Sequence, residues 1–430
     1  MIGMDKYMRI AIFTDAFYPQ INGIVTSIIN MAENLARRGH SIIIVAPSYY
    51  RKKDEYSYPG VKVKRILSVP AGFYEDFRWT LTVDPSVPRM LKREKIELVH
   101  FMTPVFVSLM GIKYARRLGI PVVGTFHTFI ADPLYYKQFF TGPIKVTEEI
   151  AWHYLNLFYD TADHVSSPTP EAVKVIRQNG CTAPLEALSN GIDTSLFDSL
   201  KREEIKEKYA LGDQVVLFVG RISHEKNLKA LIDSFDLVVR TNPEAQLLIV
   251  GHGPQKEFYQ DYASEKSCRD RVIFTGSMSY KELLSSGLYS LGSLFVTASE
   301  TETQGITMLE AQANRLICLG PATGGIIDLI EDGVNGYFID PASPEDMAGK
   351  ISFVLNHLDK LDAMKEKALE MMSSHEMKSV IDRWEAIYKE LIDREVPAGK
   401  LPTLHFRDLL SYVCSFQLDF AYLKKMNLRR

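Results

Sequence analysis

The 430-residue sequence predicts two α/β domains in tandem, each a doubly wound parallel sheet. Three observations carry that reading. The chain is longer than one ordinary hydrophobic core serves. Short apolar runs alternate with amphipathic helical stretches from end to end. The alternation then starts afresh at residue 214, beyond the charged segment KREEIKEK at 201–208, which reads as a linker or a short bridging helix.

In the first half, 9–13 (RIAIF), 41–45 (SIIIV), 98–102 (LVHFM), 121–125 (PVVGT) and 164–167 (HVSS) read as strands. Helices are expected at 24–38, 105–118, 144–161 and 171–179. Gly39 suits the C-terminal end of the first of these helices, and Pro170 suits the first turn of the last. In the second half the strands are 214–219 (QVVLFV), 246–250 (QLLIV), 272–274 (VIF) and 293–296 (SLFV), with helices at 227–240 and 254–266. The expected division is 1–200 for the first domain and 201–377 for the second, with C-terminal helices over 378–430.

Composition excludes several classes. With 46% hydrophobic and 24% charged residues the chain is globular, and a net charge of -3 offers no global attraction to nucleic acid. The charge is uneven, however. Up to Ser195 there are 22 Lys and Arg against 18 Asp and Glu, and beyond it 28 against 35, so the first half is the one that suits an anionic surface. The four cysteines fit no metal spacing and read as free thiols of a reducing cytosol. No leader pattern opens the sequence and no run approaches the roughly 18 apolar residues of a membrane span. A cytoplasmic protein is expected, and any membrane contact must be peripheral.

Ligands of doubly wound sheets bind outside the carboxyl ends of the strands, so the loops there are the candidates. The first, TDAFYPQINGIVTSI at 14–28, runs into a helix at Gly23, where amides can hold a phosphate; a plain turn is the competing reading. His127 follows the strand at 121–125, a position open to ligand contact or to simple packing. GRISHEKN at 220–227 places Arg221 and Lys226 at a strand end before a helix, a pair of cations suited to a diphosphate or to a solvated loop. Finally, SETETQGITMLEA at 299–311 sets Glu302 and Glu310 on either side of a helix that begins near Gly305. A carboxylate only accepts hydrogen bonds, so it suits paired hydroxyls such as those of a sugar or a ribose. Taken together, the cations and carboxylates describe a nucleoside-diphosphate sugar.

These residues resemble the retaining glycosyltransferases of the large E-x7-E family with the GT-B fold, in which two Rossmann-like doubly wound domains face each other across a cleft. The likeness spans nearly the whole chain: FTDAFYPQINGIVTSI, FHT at 126–128, NGID at 190–193, GRISHEKN, and E-x7-E from Glu302 to Glu310. The resemblance implies the following roles. Glu310 holds the donor ribose. Glu302 faces the hexose, with amides over Thr303, Gln304, Gly305, Ile306 and Thr307 on sugar and phosphate. Arg221 and Lys226 neutralise the diphosphate, Gly23 lets the backbone approach it, His127 contacts the hexose near the reacting carbon, and Met278 lies near the base. The implied catalytic set is Glu302, His127, Arg221 and Lys226. No metal site or essential cofactor is implied, with Mg2+ at most a stimulant. The helix at 378–393 is expected to cross back to the first domain, with domain closure on donor binding.

Within that family, the ETQG form and the run GTFHTFIADPLYYKQFF at 124–140 resemble the branch that glycosylates diacylglycerol. The partners implied are a UDP-sugar, diacylglycerol and the anionic inner face of the cell membrane, with neither nucleic acid nor an obligate protein partner. RMLKREK at 89–95 and the aromatic, basic tail at 405–430 fit that surface, or else a solvated helix face and a docked helix. The alternatives are a galactosyl- or mannosyltransferase acting on a phosphoinositide, a glycolipid or a soluble sugar, a UDP-sugar epimerase, and a non-catalytic sugar-nucleotide scaffold.

Overall fold

A computed structural model describes residues 7–20, 22–49, 56–71, 77–131, 148–197 and 201–394. The tail at 405–430, Cys414 and the second half of the run at 124–140 lie outside the described residues.

The first domain runs β1 (Arg9–Phe13), α1 (Gly23–Arg37), β2 (Ser41–Pro47), β3 (Val61–Ile66), β4 (Ser68–Pro70), β5 (Arg78–Thr80), α2 (Ser86–Arg93) and β6 (Leu98–Phe101). It continues with α3 (Phe106–Leu118), β7 (Val122–Thr125), α4 (Glu148–Tyr159), β8 (His164–Ser167), α5 (Pro170–Gln178) and β9 (Leu185–Ala187). Seven of these strands form a parallel sheet in the order β3-β2-β1-β6-β7-β8-β9, and β4 pairs with β5 in a separate antiparallel hairpin. Helix starts follow local chemistry. Asn22 accepts from Val25 N at 3.0 Å to cap α1, and Thr169 accepts from Ala172 N at 3.3 Å ahead of Pro170 in α5.

The second domain comprises α6 (Arg202–Lys208), β10 (Val215–Val219), α7 (Leu228–Thr241), β11 (Gln246–Val250), α8 (Lys256–Ser264), β12 (Val272–Gly276), α9 (Tyr280–Ser285) and β13 (Leu294–Val296). After these come α10 (Ile306–Ala313), β14 (Ile317–Pro321), β15 (Gly336–Ile339), α11 (Pro344–Asn356) and α12 (Asp362–Met372). Its sheet is parallel, in the order β12-β11-β10-β13-β14-β15. β10, β11 and β13 are buried along their whole length, which is why they read as unbroken apolar runs. Segment 201–208 is not a free linker: it is α6, and its Ile205 is buried in the second domain's core.

Both sheets are covered on both faces by apolar clusters. One first-domain cluster is closed by the final described helix, α13 (Met377–Ile392), whose Trp384, Ile387 and Tyr388 pack with Ile10, Ile28 and Met31. The chain thus passes between the domains twice. The two passages lie side by side: Ile192 N donates to His375 O at 2.9 Å, and Met377 N donates to Ile192 O at 2.9 Å.

In each sheet the strand order reverses at one point, between β1 and β6 and between β10 and β13. The loops leaving those strands border a crevice, and Arg221, Lys226 and Glu302 sit in two of them, while His127 follows β7, Met278 follows β12 and Glu310 lies within α10.

Candidate functional site

The second-domain switch point brings together residues 76 positions apart. Lys226 ends a short 3-10 turn after β10, and Glu302 lies in the loop after β13. Lys226 Nζ meets Glu302 Oε1 at 2.5 Å, with the two side chains 21% and 20% exposed. The pair therefore borders solvent, and either partner can turn toward a ligand. Arg221, earlier in the same loop after β10, is half-buried. The turn is pinned by Asn227 in the left-handed region (φ 48°), whose side chain caps α7.

The loop 299–305 owes its shape to two glycines. Gly305 precedes α10 with φ +85°, and as a residue without a side chain it leaves the first amides of that helix, around Ile306 and Thr307, unfilled by any cap. Gly325 packs under the loop from the other side. A Cβ there would stand 2.1 Å from Thr303 O, and its amide donates to Glu302 O at 2.8 Å. The loop's backbone is held from below while the Glu302 side chain stays at the rim.

Glu310 is placed differently. It is 1% exposed, within α10, and its carboxylate accepts from the Tyr289 hydroxyl and also engages Tyr280. Burial pushes its pKa up to about 7, against the opposing pull of both tyrosines. Tyr280 OH receives Asn30 Nδ2, on α1 of the first domain, at 3.2 Å. Met278, in the loop after β12, is partly buried against the second-domain core. Gly23 opens α1 at an exposed position where an added Cβ would meet nothing within 4 Å.

Thr303 and Gln304, read from the sequence as donor contacts, are also directed at the first domain. Thr303 O accepts from Thr169 Oγ1 at 2.9 Å. The Gln304 amide bonds to Ser189 and Asn190.

In the first domain, His127 leaves β7 with Nε2 3.4 Å from Met102 Sδ. Burial lowers its pKa to about 4, so the imidazole is neutral at pH 7 and too weak a base for efficient proton abstraction. It lines a pocket of about 300 Å³, open mouth included, with Thr125, Ser189, Asn190 and Trp384.

Three residues of this region, Asp15, Tyr280 and Tyr289, carry no assignment from the sequence. Asp15, just past β1, is buried and accepts from Val107 N at 2.8 Å and Thr103 Oγ1 at 2.9 Å. It does for α3 what that helix's own N-cap, Val105, has no side-chain oxygen to do. Burial raises its pKa to about 6. Its signal was an acid set among apolar residues at a strand end. Tyr280 and Tyr289 left no such signal, because nothing in their spacing ties them to Glu310.

Comparisons with known proteins agree with the two-domain fold. Residues 21–196 match the family described as Glycosyltransferase Family 4, and residues 201–371 match Glycosyl transferases group 1. The chain is 28% identical over 353 residues to an alpha-monoglucosyldiacylglycerol synthase of Streptococcus pneumoniae, covering 80% of this chain and 77% of that protein. It is 27% identical to a GDP-mannose-dependent alpha-mannosyltransferase of Corynebacterium glutamicum, covering 77% of each. The crystal structure of Anabaena HepE with UDP and glucose superposes with a TM-score of 0.70 at 17% identity, over 89% of this chain and 100% of that one. With two parallel sheets of doubly wound order and both halves matched in sequence, the chain belongs to the GT-B glycosyltransferases of the family 4 type.

Proposed function

We propose that this glycosyltransferase moves a hexose, glucose in the first instance, from a UDP-sugar to the 3-hydroxyl of 1,2-diacylglycerol, with retention at the anomeric carbon. The observation that carries the reaction type is the solvent-bordering pair of Lys226 and Glu302 at the second-domain switch point. In this reading Lys226 and Arg221 turn to the diphosphate and offset the charge that grows on it as the anomeric C–O bond breaks. Glu302 remains beside the sugar, where positive charge develops. The departing phosphate oxygen takes the proton of the acceptor hydroxyl as the new C–O bond forms on the same face. His127, neutral, offers a hydrogen bond to the hexose without adding charge. Glu310 takes the ribose hydroxyls in exchange for Tyr280. Two protein cations serve the diphosphate, so no metal is essential in this mechanism, and added Mg2+ only stimulates.

The lipid acceptor is supported by the pneumococcal relative's name and by one face of the first domain. α2 buries Val87, Met90 and Leu91 and turns Arg89, Lys92 and Arg93 to solvent, followed by exposed Lys95. On the β4–β5 hairpin and the segment that leads from it into α2, Leu67, Val69, Leu81 and Val83 are 75%, 52%, 71% and 50% exposed. Cations next to apolar side chains suit the headgroup layer of an anionic bilayer. The proposed attachment is peripheral, at the cytoplasmic face; no helix among the described residues is long and apolar enough to cross a membrane.

The test is incubation with labelled UDP-glucose and diacylglycerol liposomes, followed by linkage analysis. Label in an organic-phase α-glucosyl-diacylglycerol is expected; turnover to water-soluble product alone would sink the lipid reading. The Corynebacterium relative favours GDP-mannose as the second donor to try. Replacing Arg89, Lys92 and Lys95 by Gln is expected to weaken binding to anionic vesicles by about 1 kcal/mol per charge, roughly 100-fold in all. Co-sedimentation measures it, and unchanged binding would remove α2 from the membrane contact.

A further inference from the structure

Gln304 lies two residues beyond Glu302, yet it is only 2% exposed and its side chain points across the domain boundary. Its Nε2 donates to Ser189 Oγ at 2.8 Å. Its Oε1 accepts from Asn190 N at 3.1 Å and from Asn190 Nδ2 at 2.7 Å. A backbone N–H can only donate, so the atom facing Asn190 N is the oxygen, which settles the orientation of the amide. Both lone pairs and one of the two N–H groups are therefore engaged with the first domain.

The contact continues on both sides. Asn190 Oδ1 accepts from Ser27 Oγ of α1 at 2.8 Å. Ser27, Ser189 and Asn190 line the same pocket as His127. Asn190 is also two residues from Ile192, where the two interdomain passages are bonded together. Gln304 thus fastens the loop that carries Glu302 to a turn that shares a pocket wall with His127.

We propose that Gln304 is a positioning residue: its amide sets the separation between Glu302 on the second domain and His127 on the first, so that both groups reach one hexose. This rests on the glycosyl-transfer reading of those two residues. The chemistry is specific to an amide. Met has the length, but it cannot donate and its thioether is only a weak acceptor, so it would leave the half-buried Asn190 N without its amide acceptor and take from Ser189 Oγ its donor, leaving that hydroxyl only Gly191 N.

The test is Gln304→Met, with Asn190→Ala and the double variant. Misplacing reacting groups by an ångström can cost about 10²-fold, so kcat is expected to fall by about that factor in Gln304→Met. Affinity for UDP, measured by titration calorimetry, should stay close to that of the unmodified protein, which also shows that the donor domain is folded. The double variant should be no slower than the slower single one. UDP affinity falling in step with kcat would instead make Gln304 a donor contact, and multiplicative losses in the double variant would overturn the link to Asn190. Spin labels, one on each domain, give a readout that needs no substrate: a broader interdomain distance distribution is expected in Gln304→Met, and an unchanged one would overturn the proposal. If the unmodified protein turns over no nucleotide sugar, the functional reading fails separately, while the distance measurement still tests the tie.

Discussion

Glu302→Gln is expected to lower kcat for hexose transfer by about 10²–10³-fold, the range for removing one preorganised electrostatic group from a reacting centre. The substitution keeps the shape and removes only the charge. Glu302 sits at the rim with its partner Lys226, both about one-fifth exposed, so water replaces the lost contact. Stability should accordingly change by no more than about 0.5 kcal/mol. The loop's backbone is held independently by the Gly325 amide on Glu302 O, which the side-chain change leaves in place. Steady-state kinetics beside a thermal melt separates the two effects. Near-normal turnover would take Glu302 out of the mechanism, and a collapsed melting temperature would make it a structural residue.

The largest effect on stability is expected in the helix that closes the first domain's core. Trp384→Ala should cost about 3–5 kcal/mol, the range for emptying a large buried aromatic site. Trp384 is 4% exposed on α13, with its ring 4.9 Å from that of His100 and 5.3 Å from that of Tyr388. His100 is held neutral by burial and bonded at both nitrogens, to Tyr388 OH at 2.7 Å and Thr125 Oγ1 at 2.7 Å. Loss of the indole would open that buried polar chain to water as well as leave a cavity. Urea titration followed by fluorescence measures it. A loss below about 1 kcal/mol would mean that α13 is an accessory to the first domain and not part of its core.

What could be read from the sequence follows physical rules. β10 and β11 are buried on both faces and show as apolar runs, VVLFV and QLLIV. β3, VKVKRI, is the sheet's edge, where alternate lysines suit solvent and mask the apolar pattern. β14 ends in Gly-Pro, poor strand formers, and is held in place by pairing with β13 and β15. The site divides along the same line. Arg221, Lys226 and Glu302 are legible because each follows a strand, where such sheets bind ligands. That Lys226 meets Glu302 depends on β10 lying beside β13, and that Gln304 meets Asn190 depends on how two domains dock. Neither distance is encoded in local spacing. For Glu310 the sequence shows a carboxylate in a helix, while its near-complete burial comes from Tyr280 and Tyr289, brought in by tertiary packing.

The position of α13 has a consequence for synthesis. The ribosome finishes the first domain's strands at Ala187 and does not reach the end of α13 until Ile392. At roughly 5–20 residues per second the intervening stretch takes about 10–40 s to make. Throughout that interval Ile10, Ile28, Met31 and their neighbours lack the helix that covers them in the finished molecule. The nascent first domain must wait, one face uncovered, while the entire second domain is translated and folded. Its last piece of core arrives only after the whole of the second domain.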